Sequence, residues 1–127
     1  MEKNNNITLA QHNQLGIEGE KEAVTFLKKK GYKILRTNFR YLKHEVDIIA
    51  EYNNLLIVVE VKTRTTRDFG DPQDFLKPSQ IKSIVTTTDF FMQANNIELE
   101  VRFDVIAAIY QKGKFEIEHI EDAFLSF

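Results

Sequence analysis

The chain has 127 residues, 43% of them hydrophobic and 28% charged, a formal net charge of −2 and no cysteine. This length suits one domain with one core, and the lack of cysteine excludes disulfides, thiolate metal sites and a thiol nucleophile. No apolar run reaches the length of a signal peptide or a membrane span, so a cytoplasmic protein with no membrane partner is expected.

Charge is unevenly spread. Residues 1–82 hold 14 Lys/Arg against 11 Asp/Glu, or +3, and residues 83–127 hold 3 against 8, or −5. Residues 1–12 are polar without periodic apolar positions and are expected to be flexible; residues 13–120 form the domain and 121–127 a hydrophobic tail. From about Asn13 to Lys30 the spacing is helical, with Gly16, Glu20, Ala23, Val24 and Leu27 on one stripe and Gly31 as a C-terminal stop. Glu20 shares that stripe with small and apolar residues. It either faces the sheet as a carboxylate available to a cation, or is a boundary residue bonded to a nearby Lys or Tyr.

Tyr32 to Phe39 reads as the first strand, with Arg36 and Arg40 toward solvent, and a short loop spans Tyr41 to His44. His44, a lone histidine in a polar loop, is either a surface residue or a ligand or proton carrier. Glu45 to Tyr52 alternates as a strand, Asn53-Asn54 suits a tight hairpin because Asn tolerates positive φ, and Leu55 to Val61 is an apolar, β-branched run expected of a central strand. With a two-residue turn, Tyr52 faces Leu55, Asp47 faces Glu60 and Glu45 faces Lys62. Two carboxylates about 5 Å apart oppose strand pairing. Either Glu60 pairs with Lys62 or Lys43, or a divalent cation lies between Asp47 and Glu60. Both carboxylates and the Val61 carbonyl are hard oxygen donors suited to magnesium or manganese, and Lys62 is placed to orient an attacking water and balance phosphate charge.

After Lys62 the chain turns polar through Thr63 to Pro72, a long loop in which Arg64 and Arg67 are candidate phosphate contacts. A second helix starts near Ser79 with Ile81, Ile84, Val85, Thr88 and Phe91 or Met92 inward, and Gln80 in its first turn. Glu100 to Tyr110 is a further apolar strand whose Asp104 is expected to be structural, paired with Arg102 or an arginine of the preceding loop. Lys112-Gly113 turns the chain into a last strand, Lys114 to Ile120, with Phe115, Ile117 and His119 on one side. The tail carries Phe124, Leu125 and Phe127.

Several segments together carry a resemblance to a known family: Gly16-x-x-Gly-Glu20, Gly31-Tyr32-x-Ile-Leu-x-x-Asn38-x-Arg40, Glu45-Val-Asp47-Ile-Ile-Ala50, Val59-Glu-Val-Lys-Thr-Arg64, Phe69-Gly-x-Pro72 and Arg102-Phe-Asp-Val105. The chain resembles the YraN-like family of small uncharacterised bacterial proteins, within the PD-(D/E)xK nuclease superfamily and similar to archaeal Holliday-junction resolvases. The resemblance implies an α/β fold with a restriction-endonuclease-like core, a central mixed sheet flanked by helices in the order αβββαβ. It also implies that Asp47, Glu60 and Lys62 stand at the catalytic motif, with Glu20 as the helix-one carboxylate. Two positions depart from the family pattern: His44 stands where Gly is usual, and Gln80 where a basic residue is common.

The resulting expectation is a magnesium- or manganese-dependent endonuclease acting on structured or branched DNA. Glu20, Asp47, Glu60 and Lys62 would be catalytic, with the first three as metal ligands, and Arg40, Arg64, Arg67 and Gln80 would meet nucleic acid. Analogy with resolvases makes a homodimer conceivable. The alternatives are a non-catalytic nucleic-acid-binding module and a protein-interaction domain docking through its tail.

Overall fold

A computed structural model describes residues 8–66 and 76–124. The elements are α1 (Leu9–Lys29), β1 (Lys33–Tyr41), β2 (His44–Tyr52), β3 (Leu55–Arg64), α2 (Pro78–Ala94), β4 (Glu100–Gln111) and β5 (Lys114–Ile120). The strands form one sheet in the order β1-β2-β3-β4-β5. β3 and β4 are parallel and every other neighbouring pair is antiparallel. Parallel neighbours need a crossover, and α2 supplies it. The fold is α/β with a five-stranded mixed sheet, arranged as a restriction-endonuclease-like core to which β5 adds an edge strand.

The two helices cover opposite faces. Ala23 and Leu27 of α1 pack over Ile48, Ile57, Val59 and Ile106, while Ile84 and Phe91 of α2 pack over Ile49, Val58, Phe103 and Val105. β3 and β4 are therefore buried on both sides, which is why their sequences read as nearly continuous apolar runs rather than as alternating ones.

Three boundaries differ from the sequence expectation, and a fourth, the start of α2, falls within one residue of it. α1 begins at Leu9, inside the segment expected to be flexible, because Thr8 and Gln11 form a reciprocal cap: the Gln11 N–H donates to Thr8 Oγ1 at 3.1 Å and the Thr8 N–H to Gln11 Oε1 at 2.7 Å. β1 runs on to Tyr41. Thr63 and Arg64 belong to β3 rather than to a loop, since parallel pairing places them opposite Ala108 and Ile109. α2 starts at Pro78, whose fixed φ and missing N–H suit a first helical position. The Lys77 N–H donates to Gln80 Oε1 at 2.9 Å, so Gln80 acts as a helix cap.

The buried line of α1 is Gly19, Ala23 and Leu27, and Gly19 is absent from the expected stripe. A Cβ there would collide with the Thr63 hydroxyl and lie 3.2 Å from both Thr63 Cβ and Cγ2. Rotation about χ1 moves the hydroxyl and methyl but leaves the Thr63 Cβ contact in place. Gly19→Ala should gain about 1 kcal/mol in helix propensity but lose more to overpacking, for a net destabilisation of about 1–2 kcal/mol. In a Thr63→Ala background that loss should shrink toward zero. Urea titration of the four proteins checks this, and equal losses in both backgrounds would refute the close approach.

Thr88 of α2 is 2% exposed, and its hydroxyl has no hydrogen-bond partner among the described residues. Replacing it with the isosteric Val removes the desolvated hydroxyl and keeps the shape. Thr88→Val should therefore raise stability by about 1 kcal/mol in thermal melts, and a loss would mean the hydroxyl is satisfied.

Candidate active site

The turn expected at Asn53-Asn54 is present, with φ of +52° and +64°. It sets the expected register: Tyr52 faces Leu55, and the ladder holds back to Ile48 opposite Val59. There the two strands part. Val46 and Ile49 both face α2 while Ile48 and Ala50 face α1, so the strict alternation of a strand slips at Asp47. Across on β1, Asn38 sits at the same place with φ +50°. Side chains replace the ladder at the opening. The Val61 N–H donates to Asp47 Oδ2 at 2.8 Å, and the Asp47 N–H reaches toward Glu60 Oε1 at 3.4 Å. The two carboxylates thus lie together in a gap between splayed strands rather than stacked across a regular ladder.

This proximity has an electrostatic consequence. Burial pushes both carboxyl groups up, Glu60 to about 9 with the Asp47 charge adding to the effect. The two carboxyl groups are coupled, each affecting the other's ionisation, so the pair titrates as a unit. The Val61 N–H and the Lys62 ammonium act the other way on Asp47, favouring its charged form. Without a further positive charge the pair thus holds a proton through neutral pH.

Glu45 does not face Lys62 as expected. It pairs with Arg40 on β1, joined by an ion pair at 3.2 Å, because β3 has already diverged. Glu20 turns its carboxylate toward β1 and accepts from Asn38 Nδ2 at 2.8 Å. Burial pushes its carboxyl up, and Asp47 and Glu45 reinforce this. Glu20 lies at the junction of two clefts on the α1 face: one of about 420 Å³ that also contains Asn38 and Asp47, and one of about 400 Å³ that contains Lys62 and Arg64. Glu60 opens instead on the α2 face, into a cleft of about 330 Å³ with Lys43, His44, Gln80 and Ser83. The four expected catalytic residues therefore converge on one end of the sheet, reachable from both faces. No group of three or more His, Asp or Glu side chains forms a ready metal cage among the described residues. Asp47 and Glu60 form the contacting pair, while Glu20 is held by Asn38.

The expected nucleic-acid contacts are dispersed around this end. Arg40 is 70% exposed beside Glu45, Arg64 donates from Nη1 to the Thr63 carbonyl at 2.8 Å, and Gln80 lines the α2-side cleft. Arg67 lies outside the described residues, as does the Phe69 to Pro72 motif.

The profile of the Uncharacterised protein family UPF0102 matches residues 19–108, a span that contains Glu20, Asp47, Glu60 and Lys62. The chain belongs to this family. A UPF0102 protein of Flavobacterium psychrophilum is 50% identical over 94% of this chain and 100% of its own length. One from Christiangramia forsetii is 51% identical over the same shares, and one from Phocaeicola vulgatus 47% identical over 91% of this chain and 96% of its own. No helix among the described residues is long and apolar enough to cross a membrane.

The roles of Asn38 and His44 escaped the sequence reading. Asn38 positions Glu20, and a single asparagine within a strand gives no sequence signal for that role. His44 is half-buried, with Nδ1 2.6 Å from Ser83 Oγ, so it ties the strand start to α2 rather than lying loose on the surface. Asp104 is structural, as expected, and Arg102 is its partner at 2.8 Å. His119 is the unexpected addition. Lys30 Nζ, which can only donate, lies 2.9 Å from His119 Nδ1, so Nε2 carries the proton given to Asp104 at 2.8 Å. Burial pushes the Asp104 carboxyl up, but hydrogen bonds from His119, Arg102 and the Asp122 N–H outweigh it and hold the group low. This network ties the end of α1 to β4 and β5.

Proposed function

We propose that the chain is a divalent-metal-dependent endonuclease that hydrolyses phosphodiester bonds in structured or branched DNA. The observation that carries this reading is the contact of Asp47 and Glu60 in the gap between β2 and β3, with Lys62 close enough to lower the pKa of both. Two buried carboxylates that must share a proton are destabilising unless a cation replaces that proton. Their oxygens and the Val61 carbonyl fit magnesium or manganese in donor type, with water and phosphate completing the coordination. Such an ion would polarise the phosphate and lower the pKa of a bound water.

The protein's own groups then have distinct tasks. Asp47 is fixed by the Val61 N–H, so its second oxygen is aimed without loss of side-chain freedom. Lys62 orients the attacking water and offsets the charge that develops on phosphate. Glu20, held by Asn38 at the meeting of the two α1-side clefts, bounds the space where a phosphate would lie and directs its approach. Arg64 supplies charge in the Lys62 cleft, and Arg40 and Gln80 border the opposite approach.

The test is cleavage of four-way junction, flap and linear DNA with magnesium or manganese. Activity undiminished in Asp47→Ala and Lys62→Ala would overturn the reading. A second reading, a nucleic-acid-binding module without turnover, is favoured by the lack of a three-carboxylate cage among the described residues. Calorimetry separates the two, since DNA binding with neither magnesium uptake nor cleavage would establish the module.

A further inference from the structure

The β1–β2 turn places an apolar residue in the left-handed region, where the other described positive-φ positions hold Asn, Asp, Lys or Gly. Its central residues are Leu42 and Lys43, and Leu42 has φ +57°. The other non-glycine residues with positive φ among the described residues are Asn38, Asn53, Asn54, Asn96, Lys112 and Asp122. Asn and Asp tolerate that conformation because a short polar side chain can bond locally, whereas a leucine there is strained. Burial does not offset the strain, for Leu42 is 79% exposed.

One exposed leucine is ordinary on a protein surface. What sets this one apart is how firmly its turn is held. Tyr41, immediately before it, stacks on Phe90 of α2 with ring centroids 4.0 Å apart and planes inclined by 16°. His44, immediately after the turn, bonds to Ser83 of the same helix, and the Arg40–Glu45 ion pair closes the next rung. The turn is clamped to α2 on both sides, so its apolar tip is presented rigidly to solvent and would lose little freedom on contact. The tip also borders the candidate site. Lys43, His44 and Glu45 line the same cleft as Glu60, and Leu42, five residues along the chain from Asp47, lies at most about 17 Å from it.

We propose that Leu42 is a wedge that enters the base stack of a double-stranded nucleic acid next to the bond to be cut, with Arg40 and Lys43 meeting the flanking phosphates. The inference rests on the nuclease reading and adds to it a determinant of substrate shape. An apolar side chain pushed between base pairs unstacks one step and kinks the duplex, and the flanking cations match the phosphate charge. A step already loosened at a branch or flap resists insertion least, which makes branched substrates the preferred ones. One strand advances about 3.4 Å per nucleotide, so the opened step falls within about five nucleotides of the cut.

The experiment uses junction and duplex DNA carrying 2-aminopurine at successive positions, bound in calcium so that cleavage does not intervene. The wild type should brighten at one step within that window. Leu42→Ser should abolish the rise and weaken binding about tenfold, while Leu42→Met, still apolar, should keep both. Lys112→Ser, at a left-handed turn position on the β4–β5 hairpin, should change neither. Leu42→Asn should melt no lower than wild type, which separates the wedge from a role in folding. A full fluorescence rise with wild-type affinity in Leu42→Ser overturns the wedge and leaves the cleavage reading to the Asp47 and Lys62 variants. Loss of self-association in Leu42→Ser with the rise intact also overturns it, assigning the tip to contacts between copies. Failure of the wild type to bind any of these DNAs overturns both.

Discussion

Asp47→Ala and Lys62→Ala should each lower metal-dependent DNA cleavage by about 10³-fold, equivalent to about 4 kcal/mol of transition-state stabilisation. Asp47 is the better anchored of the two carboxylates, held by the Val61 N–H at 2.8 Å. Its loss removes a proposed metal ligand and also leaves that N–H without its partner. Asp47→Asn keeps an acceptor for Val61 and separates these effects. It should fold normally, bind DNA as tightly as wild type or more tightly because a negative charge near phosphate is gone, and still fail to cut. If the two residues act on one water and one phosphate, as proposed, the double variant should be little worse than either single one. Single-turnover cleavage beside filter binding measures both quantities. Parallel losses in binding and cleavage, or fully multiplicative losses in the double variant, would show that the residues do not form one site.

Glu60→Gln should move stability and activity in opposite directions. The folded state holds the Glu60 proton up to about pH 9, whereas an unfolded glutamate releases it near pH 4.3. Between those values the folded protein binds more protons than the unfolded one, so stability falls as pH rises across that window. The full shift corresponds to about 6 kcal/mol. Partial solvent access and the coupling to Asp47 reduce what is realised, and we take about 2 kcal/mol. Glu60→Gln should remove this slope and raise the melting temperature at pH 8 by about 6–8 °C, while abolishing cleavage. Magnesium should stabilise the wild type increasingly as pH rises and should do much less for the variant. Asp104 acts in the opposite sense at lower pH: its depressed carboxyl contributes stability above the unfolded value that is lost as pH falls through the folded one. The wild-type curve should therefore rise out of acid and decline again toward pH 9. A flat or rising curve between pH 5 and 9 in metal-free buffer would show that Asp47 and Glu60 are not forced together.

The opposite signs expected for Glu60 describe a trade often made at functional sites, where charges that destabilise the fold are retained for what they bind. Gly19 illustrates the same end of the sheet from the packing side. By approaching Thr63 without a Cβ, it lets α1 lie close to the end of β3, which brings Glu20 over the gap that Asp47 and Glu60 share.

The sequence by itself determined the hairpin and, through it, the nearness of the two central carboxylates, though not a regular pairing of them. Asn53-Asn54 tolerates the left-handed backbone of a two-residue turn, the period-two pattern pins the register, and from those two facts Asp47 and Glu60 are neighbours before any coordinates are known. It likewise determined the strand and helix types, because apolar periodicity reflects which faces are covered. Other features depended on contacts between residues far apart in the chain, and only the tertiary structure decided them. Leu42-Lys43 lacks the usual turn residues, and the turn exists because Tyr41 and His44 are fastened to α2. The slip of alternation at Asp47 falls where β3 loses its pairing with β2 beyond Val59 while it stays paired with β4. The orientation of Glu20 was decided by Asn38 across a sequence separation of eighteen residues. Local pattern records what each residue prefers, whereas the position of a carboxylate in a gap between strands is set by everything packed on both sides of that gap.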